Sequence, residues 1–127
     1  MEQNIYIPGD LVMFNNEVVM INEVDNAAGD ENPFIYITCT NKRKSFYERS
    51  SEVNPIPLTP EILKKNGWKK TDATWIYKRE DSVTIFRLLD DKSYAAYIGN
   101  IRLLEFQFVH QLQHLLFGLG LDSNIKL

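Results

Sequence analysis

FVHQLQHLLFGLGL, running from Phe108 to Leu121, is the segment on which a reading of this chain turns. Val109, Leu112, Leu115, Leu116 and Leu119 recur at helical spacing and form one apolar stripe. Gly118 and Gly120 end it. A closing helix is therefore expected near 105–118. His110, Gln111, Gln113 and His114 interrupt the apolar run, which is too polar and too short to span a bilayer.

Upstream of this helix the pattern changes to short strands. Thr74–Lys78, Ser82–Leu89 and Ser93–Ile98 are expected as three strands, separated by charged turns at Arg79-Glu80-Asp81 and Asp90-Asp91-Lys92. Ile101–Leu104 is expected to add a further short strand. NPIPLTP (Asn54–Pro60) carries three prolines, which fit neither a central strand nor a helix interior, so an extended, stiff boundary is expected there. Thr59 is placed to cap a following helix, with Pro60 in its first turn, Glu61 complementing the dipole and Gly67 as the stop. That helix, near 60–66, is too short to be stable without packing.

The first half reads as β throughout. Pro8-Gly9-Asp10 is a turn, Asn15-Asn16 is a hairpin connection, and FIYITC (Phe34–Cys39) is rich in β-branched and aromatic residues. Ser45–Val53 is expected to be a weaker strand, and DNAAGDENP (Asp25–Pro33) an acidic loop. A Gly-Asp turn, a hairpin and short antiparallel strands suggest a small SH3-like barrel or curled sheet. The expected fold class is α+β. A β unit would span 1–54, and an antiparallel sheet with two helices would span 55–127.

Composition limits what such a chain can do. Of 127 residues, 44% are hydrophobic and 24% charged, and fifteen aromatics (six Tyr, seven Phe, two Trp) supply core material. The net charge of −3 argues against a general electrostatic grip on nucleic acid or an anionic membrane. The charge is uneven, with 4 basic and 9 acidic residues in 1–56 and 10 basic and 8 acidic in 57–127. A lone cysteine, Cys39, excludes an intrachain disulfide and a cysteine zinc cluster. MEQNIYIPGD has neither the basic nor the apolar region of a secretory signal. A cytoplasmic protein with no membrane partner is the expectation.

Two segments, PIPLTPEILKKNGW (Pro55–Trp68) and VHQLQ (Val109–Gln113), resemble short uncharacterised proteins of Bacteroidales genomes, mobile elements and phages that carry "PIPLT…GF" and "VHQLQ" phrases. Those proteins share the order of a glycine-turn β segment, a first helix, strands and a closing helix. The resemblance implies a protein of a mobile element or phage and no particular activity. Where this chain has His114 the group often has Asn, which speaks against a shared two-histidine site.

Several side-chain groups are candidates for chemistry. His110 and His114 lie four apart on one helix face, as in helical metal sites. Glu105 is about 140° around the helix and does not join them. The plainer reading makes both histidines a half-exposed flank of a core helix. Lys42, Arg43 and Lys44, with Tyr47 and Arg49, interleave cations and aromatics as a nucleotide or nucleic-acid platform would. A second basic group, Lys64, Lys65, Lys69 and Lys70, surrounds the end of the first helix, where cations complement the dipole. Cys39 reads as an inert strand thiol, Gln111 and Gln113 as structural links, and the paired carboxylates as turn formers. No phosphate loop, G-x-S-x-G or H-E-x-x-H is present.

The reading that follows is a non-enzymatic binding or adaptor protein with no cofactor, whose partner is another protein. A nucleic-acid or small-nucleotide binder, acting by sequestration through the basic turn, is the first alternative. A metal-dependent enzyme centred on His110 and His114 is the second.

Overall fold

Asn15 and Asn16 both take positive φ, 49° and 63°, the conformation that turns a two-residue hairpin with the twist of its strands. The computed structural model describes residues 6–25, 34–39, 45–80, 83–90 and 92–127. The chain divides into two units, Met1–Ile56 and Pro57–Leu127, each an antiparallel sheet with its own order.

In the first unit β1 (Leu11–Phe14) and β2 (Glu17–Asp25) flank the asparagine turn, followed by β3 (Phe34–Cys39), β4 (Ser45–Arg49) and β5 (Asn54–Pro55). The strand order is β4-β3-β2-β1-β5. Pairing puts Val12 opposite Val19 and Ile21 opposite Ile37. These four, with Tyr6, Ile35 and Val53, form a buried cluster. A bulge leaves Asn22 unmatched between Ile21 and Glu23 and curls the sheet. Upstream of β1, Gly9 takes φ +97° and its amide donates to Ile21 O at 2.7 Å. The buried Asp10 carboxylate accepts from Ile7 N at 2.9 Å. Burial, and then the Asp10 charge, push the Tyr6 hydroxyl up to about 12.

The strand expected over Ser45–Val53 ends at Arg49. Ser50–Glu52 forms a 3-10 turn instead, which redirects the chain so that Asn54 and Pro55 pair with Met13 and Val12. Pro55 donates no hydrogen bond, and β5 is an edge strand that tolerates it. Because β5 joins the first sheet, the division falls after Ile56 rather than after residue 54.

The second unit begins with α1 (Pro60–Lys65). Thr59 Oγ1 accepts from Ile62 N at 3.3 Å and caps it, and Leu63 is its fully buried residue. Gly67, at φ +92°, ends the helix and lets Trp68 N reach back to Leu63 O at 3.1 Å. Trp68 is buried, and its indole donates to Val83 O at 3.3 Å. The meander β6 (Lys69–Lys70), β7 (Ile76–Lys78), β8 (Val83–Arg87), β9 (Tyr94–Ile98) and β10 (Ile101–Phe106) follows in the order β10-β9-β8-β7-β6. Tyr77, Ile85 and Ala96 form one cross-strand row with no exposure.

The last helix, α2 (Val109–Gly118), starts later than the expected 105, because β10 pairs with β9 through Phe106. Gln111 Oε1 accepts from Gln107 N at 2.9 Å and Phe108 N at 3.0 Å, fixing the first turn. Pro57 bridges Phe108, and Leu58 N donates to Gln107 O at 2.9 Å. Val109, Leu112 and Leu116 are fully buried, as the stripe predicts. The tail is held at the end of α1: Asn66 accepts from Lys126 N and donates to Lys126 O, both at 2.8 Å, while Lys65 Nζ reaches Leu127 O at 3.0 Å. Among the described residues, no helix is long and apolar enough to cross a membrane.

Candidate binding site

The residues singled out from the sequence are dispersed. Lys42, Arg43 and Lys44 lie outside the described residues. Tyr47 and Arg49 project from β4 two residues apart, hence on one face, and both are exposed. Tyr47 sits opposite Tyr36, with ring centroids 4.8 Å apart.

His110 and His114 do share a helix face, with ring centroids 5.5 Å apart and planes at 78°. The half-exposed flank expected for the pair is not what forms. His110 is buried at 2% exposure and stacked on Phe108, while His114 is half-buried. Among the described residues no group of three or more His, Cys, Asp or Glu side chains gathers as a metal site would require. Gln113, also buried, donates to Ser123 O at 3.3 Å, so both glutamines of VHQLQ hold backbone in place.

The second sheet gathers a different set of residues at the ends of β7 and β8. Thr71 N donates to Ile76 O at 2.9 Å, Thr71 Oγ1 to Ala73 O at 3.1 Å, and Ile76 N to Ala73 O at 3.2 Å. This tight loop presents Trp75, whose carbonyl accepts from Arg87 N at 2.7 Å. Across the same end, Leu88 N donates to Ser93 O at 2.9 Å. The Asp90 carboxylate accepts from Lys92 N, Ser93 N and Ser93 Oγ at 3.0, 2.9 and 2.8 Å. Those hydrogen bonds hold its pKa below the usual carboxylate value.

Both loops are thus pinned by their own hydrogen bonds, and what they hold outward is apolar. Trp75 is 53% exposed and Leu89 is entirely exposed. Between them lies an open hollow of about 460 Å³ lined by Thr74, Trp75, Phe86, Arg87, Leu88 and Leu89. An indole and an isobutyl group fixed in water carry an unrecovered hydration cost that a covering surface would remove. Sequence reasoning missed this pair because it placed both residues inside strands. No known protein family, curated protein or solved structure matches this chain.

Proposed function

We propose that this chain is a non-enzymatic binding protein that recognises another protein through Trp75 and Leu89. The observation that carries the reading is this exposed apolar pair on two hydrogen-bonded turns. Interfaces draw most of their energy from a few large, centrally placed side chains, tryptophan foremost among them. Turns that are already ordered lose little conformational freedom on binding. An apolar side chain of the partner would sit between the indole and Leu89, with Arg87 at the rim.

Two finer statements belong to the same reading. The order β4-β3-β2-β1-β5, with a 3-10 turn before the short last strand, supports an SH3-like barrel for the first unit. The PIPLT and VHQLQ phrases support a protein of a mobile element or phage, acting in the cytoplasm of the bacterial cell. The test is affinity capture from host extract with the wild-type chain and with Trp75→Ser/Leu89→Ser as baits. The reading expects a protein retained by the first and lost by the second, with the variant's melting temperature unchanged. An identical set on both baits overturns it.

A further inference from the structure

Pairing of β6 with β7 sets Lys69 directly opposite Lys78. Like charges in facing positions of an antiparallel pair are destabilising. Lys69, Lys70 and Lys78 are all exposed, and among the described residues none of them makes an ion pair. Together with Arg79 they line a hollow of about 600 Å³ in which Glu80 is the one carboxylate among the described residues.

Arg79 is held in place rather than left to sample solvent. Its guanidinium carbon lies 3.6 Å from the centre of the Trp68 ring, and Nη1 donates to Asn66 O at 3.1 Å. Its stem runs past Gly67, where a Cβ would stand 3.3 Å from Arg79 Cδ. A second hollow, of about 580 Å³, shares Gly67, Arg79 and Glu80 with the first and adds Lys65, Lys126 and one carboxylate, Asp122. Joined at these three shared residues, the two make a trough whose described lining holds six cations and two carboxylates. The unit that holds it, Pro57–Leu127, carries 10 basic and 8 acidic residues, whereas Met1–Ile56 carries 4 and 9.

We propose that this trough binds the phosphate backbone of a nucleic-acid strand, through Lys69, Lys70, Lys78 and the anchored Arg79. An elongated cationic groove suits a chain of phosphates. Among the described residues the lining holds no exposed aromatic ring on which a base could stack, so recognition is of backbone and not of sequence. The facing lysines, unfavourable to the fold, become favourable when an anion lies between them. The proposal rests on residues separate from Trp75 and Leu89, and either can fail without the other.

The experiment is fluorescence anisotropy of a labelled single-stranded oligonucleotide of about 20 nucleotides, titrated with the full chain at several salt concentrations. Binding is expected with a log–log salt slope of about −3, set by four cations. Lys69→Glu with Lys78→Glu should weaken it at least about tenfold and flatten the slope by more than one. Lys69→Glu alone places opposite charges across β6 and β7, so its melting temperature should hold or rise. Should the double glutamate variant not fold, Lys70→Gln with Lys78→Gln carries the same comparison. Absence of oligonucleotide binding at about 50 mM salt, or equal binding by folded variants, overturns the proposal. So does binding of inorganic tripolyphosphate in the absence of oligonucleotide binding, which would make the ligand a small polyphosphate.

Discussion

Asp90 is the residue on which the geometry of the Leu89 turn depends. Its carboxylate closes the turn with three hydrogen bonds from Lys92 and Ser93, and these favour the charged form. A carboxyl whose folded pKa lies below its ordinary value stabilises the fold above the ordinary carboxylate range. That contribution is lost as the pH falls through the folded value. Asp90→Ala should therefore melt at a lower temperature than wild type near neutral pH, and the gap should close as the pH falls below about 4. Calorimetry across a pH series reads both. A gap that persists undiminished in acid would mean that the side chain acts through shape and not through charge. The sequence marked Asp90 as a turn former. It did not reveal that the turn would leave Leu89 entirely exposed, because that depends on where β8 stops pairing.

At the level of elements, the start of α2 is set by one amide. Gln111 Oε1 takes both Gln107 N and Phe108 N, two donors that would otherwise face the helix terminus unpaired. Gln111→Ala should lower stability by about 1 to 2 kcal/mol, the range of a lost helix cap. Gln111→Glu, which keeps an acceptor oxygen at the positive end of the helix, should recover most of it. Urea unfolding followed by tryptophan fluorescence measures the difference. If the alanine variant unfolded like wild type, the cap would be dispensable.

The elements legible in the sequence were those with a local physical cause. The Asn15-Asn16 turn needs positive φ, Thr59 supplies a cap, and the stripe of α2 repeats at helical period. β6 was not legible, because two adjacent lysines carry no periodic signal and become a strand only by pairing with β7. The docking of the tail on Asn66 was hidden for a related reason, since its partners lie about sixty positions apart in the chain.

Over the whole molecule, the sequence disclosed that charge divides unevenly, with the acidic excess in the first unit and the basic excess in the second. It disclosed Lys69 and Lys70 as a basic group, but read them as the cationic end of a helix. Lys78 and Arg79 join that group only through strand register and the Trp68 ring, so the trough could not be seen in one dimension. The two tryptophans also divide unevenly, since Trp68 and Trp75 both belong to Pro57–Leu127. Tryptophan emission is therefore a probe of the second unit, and Trp68, 1% exposed, reports its core. Leu112, with no exposure, should cost about 2–5 kcal/mol when cut to alanine, and the tryptophan midpoint in urea should fall accordingly. Ile37 occupies the matching position in the buried cluster of the first unit. Ile37→Ala should speed hydrogen exchange at the amides of β1 to β4, where no tryptophan reports. A tryptophan midpoint left in place by Leu112→Ala would show that Trp68 senses its own contacts with α1 and Arg79 rather than the core to which α2 contributes.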